Sequence, residues 1–173
     1  MPRNIEIKAR VDDIEALEIA VAALAEQGPT EIEQDDTFFR CAAGRLKLRV
    51  FADGSGELIF YRRADSPGPK ESSYWLSPTA SPDSLREALS LAYGELGRVK
   101  KRRTLYLCGR TRIHLDRIDR LGNFLELEVV LRTDEPADLG VREATALMRQ
   151  LNISQERLIE SAYIDLMSHA GLS

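Results

Sequence analysis

Polar and apolar residues alternate strictly over several short stretches of the chain. In the stretch Arg3–Val11, polar residues occupy every second position and aliphatic residues fill the positions between them. Successive side chains of a β-strand point to opposite faces, so this alternation predicts a strand with one polar and one apolar face. The sequence also predicts strands at residues 30–41, 45–51, 57–63, 72–76 and 98–108, and two more between residues 112 and 131. The alternation recurs most clearly at residues 45–51 and in the last two strands.

Three other stretches carry apolar residues at the spacing of an amphipathic helix. They cover residues 12–26, 81–93 and 136–151. We expect Asp12 to cap the first helix, with Glu15 completing a capping box, and Leu139 to belong to the apolar stripe of the third. Residues 65–71, which contain two prolines and a glycine, predict a loop. A short helix after Ser154 and a last segment at residues 161–167 complete the chain.

The predicted strands follow one another mostly as hairpins, and no long linker separates them. We therefore expect a single domain over residues 1–173. Two architectures could hold such strands. In the first, the apolar faces point inward and the charges meet water. In the second, the sheet closes with its charged faces inward, and its apolar faces lie beneath the helices.

The helices favour the second architecture, because their apolar stripes need an apolar surface to cover. Burying one aliphatic side chain in this way contributes roughly 1.5–3 kcal/mol. The fold class that we expect is α+β, with a closed eight-stranded antiparallel β-barrel and helices packed outside it. A barrel of about eight strands has a narrow interior that can hold one small ligand.

The last predicted hairpin, residues 112–131, carries a pattern that folding alone does not explain. Glu126 and Glu128 share one strand face, where like charges repel. Arg112, His114 and Asp116 share a face of the preceding strand. A bound divalent cation would justify the two carboxylates. We expect His114 to line the interior as a hydrogen-bonding residue rather than to bind metal, because hard cations prefer oxygen.

Composition excludes several classes of function. Of the 173 residues, 43% are hydrophobic, and the formal net charge of −4 argues against a general nucleic-acid binder. No apolar run reaches the ~18 residues of a membrane span, and the first residues do not resemble a signal peptide. Cys41 and Cys108 are too few for a disulfide framework. We therefore expect a cytoplasmic protein that binds neither nucleic acid nor membrane. The oligomeric state stays open, and a homodimer is compatible with the sequence.

Basic residues dominate the polar faces of the predicted strands. They are Lys8, Lys47, Arg49, Lys101, Arg103 and Arg112, together with Arg62 or Arg63. An enclosed space lined by so many cations and a few carboxylates needs counter-ions. A polyanion held by the cations and a divalent metal held by the carboxylates would satisfy both sets. Mg²⁺ or Mn²⁺ commonly bridges carboxylates to phosphate oxygens, so the simplest polyanion is a triphosphate.

These blocks resemble, in the same order, the motifs of the CYTH family, which includes class IV adenylate cyclases and thiamine triphosphatases. Residues 4–8, Asn-Ile-Glu-Ile-Lys, are similar to the Glu-x-Glu-x-Lys signature of that family. Residues 44–49, 58–63, 101–103, 112–128 and 163–166 resemble its later blocks, so the resemblance covers nearly the whole chain. It implies a triphosphate tunnel and metal-dependent cleavage of a P–O bond. Residues 124–128 look closer to the bacterial cyclase-like branch.

The resemblance also implies roles for the charged residues. Phosphates would be bound by Lys8, Lys47, Arg49, Arg63, Lys101, Arg103 and Arg112. One or two ions of Mg²⁺ or Mn²⁺ would be held by Glu6, Asp116, Glu126 and Glu128. The catalytic group would be Glu6, Lys8, Glu126 and Glu128. Cyclisation of ATP would use the ribose 3′-hydroxyl and release pyrophosphate, whereas hydrolysis would use water at the terminal phosphate.

Two departures from the family pattern bear on turnover. Asn4 stands where the signature has its first glutamate, and an amide oxygen can ligate a metal but brings no charge. A basic residue that the family often has near the C-terminal block is also absent beside Glu160. The alternative hypothesis is therefore a module that binds a nucleotide or polyphosphate without cleaving it. A third hypothesis, a barrel that binds no ligand, predicts no affinity for triphosphates.

Overall fold

The computed structural model describes residues 2–64 and 68–172, which form a closed eight-stranded antiparallel β-barrel with four α-helices packed against it. The strands are β1 (Arg3–Val11), β2 (Gln27–Phe39), β3 (Arg45–Phe51), β4 (Gly56–Arg63), β5 (Lys70–Thr79), β6 (Glu95–Cys108), β7 (Thr111–Ile118) and β8 (Gly122–Val130). The helices are α1 (Ile14–Leu24), α2 (Pro82–Tyr93), α3 (Ala137–Gln150) and α4 (Tyr163–His169). The order around the barrel is β1-β5-β4-β3-β2-β6-β7-β8, and β8 pairs with β1 to close it. The fold class expected from the sequence is confirmed.

The main hydrophobic core lies outside the barrel wall. Leu115 on β7 and Leu127 on β8 are completely buried, and both lie on the strand face opposite the charged residues. Leu17 of α1 and Ala144 of α3 belong to the same core. The apolar faces of the strands are therefore covered by helices, as the second architecture requires.

A second apolar cluster closes one end of the barrel. Helix α4 packs there against side chains from the inner faces of four strands, namely Phe38, Val99, Ile118 and Phe124. The segment before α4 runs beside β1, where the backbone N–H of Ile159 donates to the carbonyl of Lys8 at 2.9 Å. The carbonyl of Glu160 accepts hydrogen bonds from Arg63 at 3.1 Å and from Lys70 at 2.9 Å. The C-terminal segment is thus attached to the barrel at this end by both backbone and side-chain contacts.

The boundaries of the first helix differ from those predicted. Asp13 rather than Asp12 is the N-cap, because its Oδ1 accepts a hydrogen bond of 2.9 Å from the backbone N–H of Ala16. Glu15 therefore does not complete a capping box. The helix ends at Leu24, and β2 begins at Gln27 after only two further residues. A register shift where β2 joins β6 lets this earlier segment pair, and alternation cannot reveal such a shift.

Other predicted elements also change. Of the predicted loop, residues 65–67 lie outside the described residues, and Lys70 and Glu71 belong to β5, which extends well beyond the short strand predicted there. Leu139 is 44% exposed, so it is not part of the buried stripe of α3. The segment after Ser154 forms a short 3-10 helix (Gln155–Arg157). Among the described residues, none of the helices has the length and apolar character needed to cross a membrane.

Candidate functional site

The barrel encloses a cavity of about 330 Å³. All the predicted phosphate-binding residues line it: Lys8, Lys47, Arg49, Arg63, Lys101, Arg103 and Arg112. Among the described residues, five carboxylates share the lining: Glu6, Asp36, Glu57, Glu126 and Glu128. Strand alternation explains the gathering, since each wall strand contributes every second residue to the interior. Of the predicted metal ligands, only Asp116 stands back from the lining, completely buried.

Glu126 and Glu128 lie at the centre of the hairpin that the sequence singled out. On β1, Lys8 is the neighbour of Glu126 across the strands and Glu6 is the neighbour of Glu128. The Nζ of Lys8 lies 3.2 Å from Oε1 of Glu126. On the other side, Nε of Arg112 donates to Oε2 of Glu128 at 2.9 Å. Each carboxylate is therefore held by a cation on a neighbouring strand.

His114 stands beside both carboxylates on β7. Its Nδ1 lies 3.7 Å from Oε2 of Glu126 and 3.8 Å from Oε1 of Glu128. These three residues can each present one ligand atom, and the three atoms lie within 4.8 Å of one another. The structure places His114 on the lining as the sequence predicts, but its Nδ1 makes no hydrogen bond with any described residue.

Asp116 serves as a shared acceptor beneath the cavity. It accepts 2.7 Å hydrogen bonds from Nε and Nη2 of Arg103, and Nζ of Lys101 donates to it at 2.9 Å. The hydroxyl of Tyr163, on α4, donates to it at 3.1 Å. Arg103 also donates to Glu126, so one guanidinium joins the two carboxylates. Asp116 thus positions two predicted phosphate-binding cations.

Asp36, on β2, is a lining residue that sequence reasoning missed. Its carboxylate accepts two hydrogen bonds of 2.8 Å from Arg49, and Nζ of Lys47 donates to it at 2.7 Å. Polar residues occupy both faces of the segment before it, from Glu31 to Asp35, so the pattern does not show which face turns inward. Only the register between β2 and β3, where Asp36 lies opposite Arg49, reveals the pairing.

The structure distinguishes Arg62 from Arg63, which the sequence could not. Arg63 lines the cavity and pairs with Glu6, whereas Nε of Arg62 donates to the carbonyl of Ala43 at 2.9 Å on the outer side. The Nε of Arg63 is buried and has no partner within the described part of the chain. A donor in that state remains available to a ligand in the cavity.

Burial and neighbouring cations act in opposite directions on the two metal-site carboxylates. Burial raises the pKa of Glu126, but Lys8, Arg103 and Lys101 lower it more, and the net pKa is well below the ordinary value. Burial likewise raises the pKa of Glu128, but His114, Arg112 and Arg103 leave it lowered. Both groups are therefore anionic at neutral pH, as metal ligands need to be.

Burial and neighbouring charges also shift the pKa values of Lys47, His114 and Asp36. Burial, followed by the positive charge of Arg49, lowers the pKa of Lys47 to about 8. Burial also lowers the pKa of His114, and Arg103 lowers it further. The pKa of Asp36 falls below its ordinary range, because Arg49 and Lys47 outweigh the effect of burial. Lys47 therefore loses its charge just above neutral pH.

The donors on the lining fit a divalent cation. Glu126 and Glu128 offer anionic oxygens, and Nδ1 of His114 is a buried atom without a hydrogen-bond partner among residues 2–64 and 68–172. Oδ1 of Asn4, which also lines the cavity, is likewise buried and lacks a partner within those ranges. Carboxylate and amide oxygens are ligands that Mg²⁺ and Mn²⁺ accept.

In this closed barrel the charged faces of the strands thus point inward, and the apolar faces lie beneath the helices. The model of the CYTH domain family matches residues 2–163, and the chain therefore belongs to that family. The resemblance noted in the sequence is confirmed. A comparison with the curated proteins found no match.

Solved structures share the fold. The PH1012 protein from Pyrococcus horikoshii is 24% identical, with a TM-score of 0.85 over 94% of this chain and 98% of that one. A candidate adenylate cyclase from Vibrio parahaemolyticus is 21% identical, with a TM-score of 0.75 over 95% and 97%. A candidate adenylyl cyclase from Hippeastrum, described as having a dominant triphosphatase activity, is 16% identical, with a TM-score of 0.66 over 99% and 96%. At these identities the likeness establishes the fold alone.

Proposed function

We propose that the protein binds a triphosphate with Mg²⁺ or Mn²⁺ inside the barrel and cleaves one of its P–O bonds. The substrate would be ATP, as in a class IV adenylate cyclase, or another organic or inorganic triphosphate that is hydrolysed. The observation that carries the proposal is the convergence of seven cationic side chains and the Glu126–Glu128 pair on one cavity. The proposal assigns the protein to the cytoplasm.

The charge balance of the cavity supports a metal requirement. In the described part of the chain, seven lining cations face five lining carboxylates, and Asp116 behind them adds a sixth negative charge. The interior alone is thus close to neutral. A triphosphate carries about four negative charges at neutral pH. Because charges are costly to bury without partners, the substrate needs divalent cations to enter with it.

Glu126 and Glu128 are the proposed metal ligands, with Glu6 next to Glu128 on the adjoining strand. These carboxylates would hold a divalent ion, which would supply positive charge to offset the negative charge of the phosphate groups. Asp116, predicted from the family as a ligand, accepts hydrogen bonds from Lys101 and Arg103 instead. We assign it the role of positioning those two cations.

The remaining lining residues would orient the phosphates. Arginine forks match phosphate oxygens, so Arg49, Arg63 and Arg112 are proposed to grip the chain of phosphates. Lys8 lies between Glu126 and the face of Tyr163, with its Nζ 3.7 Å from the ring centre. These contacts hold its ammonium group at the lining of the cavity. Phosphoryl transfer depends mainly on such positioning and charge neutralisation.

The test is to incubate the purified protein with Mg²⁺ or Mn²⁺ and a panel of triphosphates and to resolve the products. Cyclic nucleotide with pyrophosphate identifies a cyclase, and orthophosphate identifies a hydrolase. Glu126→Gln should abolish turnover, while Glu33→Gln, a change of the same kind at an exposed position of β2, should not. Turnover that survives Glu126→Gln would contradict the metal assignment.

A binding module without turnover is a second candidate, favoured by Asn4. Its side chain is buried on the lining, and it brings no charge where the family signature has a glutamate. Asn4→Glu should raise affinity for Mn²⁺, whereas Ser77→Glu on the exposed part of β5 should not. Tight triphosphate binding without products in wild type would establish the module. An unchanged Mn²⁺ affinity in Asn4→Glu would place residue 4 outside the metal site.

A further inference from the structure

The side chain of His114 is buried where the two proposed metal ligands meet. Its exposure is 4%, and its Nδ1 makes no hydrogen bond within residues 2–64 and 68–172. The nearest carboxylate oxygens, at 3.7 Å on Glu126 and 3.8 Å on Glu128, are beyond hydrogen-bonding distance. A buried polar nitrogen without a partner is destabilising unless a ligand occupies it.

We infer that Nδ1 of His114 is a third protein ligand of the metal, beside Glu126 and Glu128, and that the site consequently prefers a first-row transition metal such as Mn²⁺ to Mg²⁺. This inference rests on the proposed function, since it concerns the same metal. The three ligand atoms already lie within 4.8 Å of one another. Mg²⁺ takes oxygen ligands almost exclusively, whereas transition metals accept imidazole nitrogen.

A purely structural role for His114 predicts a different arrangement. An imidazole that served to separate or bridge two repelling carboxylates would donate to one of them at roughly 2.7–3.2 Å. Both observed distances are longer by at least half an ångström. Glu126 and Glu128 obtain their partners elsewhere, from Lys8, Arg103 and Arg112. Both carboxylates therefore have partners other than this nitrogen.

Pulsed electron paramagnetic resonance on the full chain loaded with Mn²⁺ tests the inference directly, because it detects nitrogen bound to the metal without reference to activity. The chain has two histidines, His114 and His169, so the source of an imidazole signal can be assigned. His169 is exposed at the end of α4 and provides the matched control. Spectra would be recorded with Mn²⁺ alone and with inorganic tripolyphosphate added.

We expect imidazole nitrogen coupling in wild type and in His169→Gln, and its loss in His114→Gln. Bound Mn²⁺ without such coupling in wild type would overturn the inference and leave the carboxylate site intact. Coupling that disappears only in His169→Gln would also overturn it. If wild type binds no Mn²⁺, or if Glu126→Gln binds it equally well, both the inference and the proposed metal site fail. If His114→Gln does not fold, coupling that is retained in His169→Gln still identifies His114 as its source, because the chain has no third histidine.

Calorimetric titration gives a second readout. Loss of one ligand should weaken Mn²⁺ binding by about 10- to 100-fold in His114→Gln, as loss of supporting residues at metal sites does. Mg²⁺ binding should change by less than about threefold, since oxygen ligands carry it. Equal losses for both metals would contradict the claimed preference.

Discussion

The carboxylate of Asp36 accepts hydrogen bonds of 2.8 Å from both Nε and Nη2 of Arg49, inside the cavity proposed to hold phosphates. Lys47 donates to the same carboxylate. In the absence of a ligand, the negative charge of Asp36 therefore occupies the position beside Lys47 and Arg49 that a phosphate group would take. It keeps them together in the unliganded barrel, where their mutual repulsion would otherwise be uncompensated.

Asp36→Asn should destabilise the unliganded protein and make it more responsive to polyanions. Removing one partner of a buried ion pair costs about 3–5 kcal/mol. Tripolyphosphate can supply the missing negative charge, so it should raise the melting temperature of the variant by more than that of wild type. Thermal unfolding with and without tripolyphosphate measures both effects.

The control for this experiment is Asp35→Asn, on the opposite face of the same strand. Asp35 pairs with Arg98 at 2.6 and 2.7 Å, but the pair is exposed and should contribute at most about 1 kcal/mol. Its response to tripolyphosphate should equal that of wild type. An equal response from Asp36→Asn would mean that Asp36 does not substitute for the ligand.

Triphosphate affinity should decline above pH 8. In the free protein the pKa of Lys47 is lowered to about 8, and a bound polyanion favours its charged form, so binding raises that pKa. The contribution of Lys47 is therefore complete below pH 8 and is lost as pH rises through the free-state value, by up to about tenfold per pH unit. Lys47→Arg stays charged, so its affinity should fall less steeply. Titrations from pH 7 to 9.5 that show parallel curves would contradict this.

The outward apolar faces should contribute more to stability than exposed apolar residues do. Leu127 on β8 is completely buried under the helices, so Leu127→Ala should lower the free energy of unfolding by about 2–5 kcal/mol. Ile19 on α1 is 75% exposed, and Ile19→Ala should change it by about 0.5 kcal/mol or less. Denaturant unfolding measures both. Similar losses would show that the core does not lie beneath α1 and α3.

Much of this fold could be predicted from the sequence because one regular pattern recurs in several of the wall strands. The alternation on β1, β3 and β8 separates charged from aliphatic residues cleanly, and the helices identify which face is covered. Arg62 and Arg63 stayed ambiguous because the inner face of β4 is not wholly polar. It carries Ile59 and Tyr61 beside Glu57 and Arg63, so polarity does not mark it as the lining.

The rest of the site depends on contacts between distant elements. Asp36 becomes a partner of Arg49 only through strand register, and a short polar run contains no information about register. Tyr163 reaches Asp116 and Lys8 because α4 closes one end of the barrel. That Nδ1 of His114 has no hydrogen-bond partner among the described residues follows from interatomic distances that no spacing rule supplies. Alternation predicts which residues line the interior. The ion pairs and hydrogen bonds that these residues form with one another are visible only in the three-dimensional structure.

The central claim is that the interior of the barrel, and not its outer surface, binds the triphosphate. Adjacent arginines test it, because the side chain of Arg63 is buried on the lining and Arg62 points outward. Calorimetry with tripolyphosphate and Mn²⁺ should show binding weakened about 10- to 100-fold in Arg63→Gln, the loss expected for a charge-assisted hydrogen bond. Arg62→Gln should bind within about twofold of wild type. Equal effects of the two substitutions, or unchanged affinity in Arg63→Gln, would contradict the account.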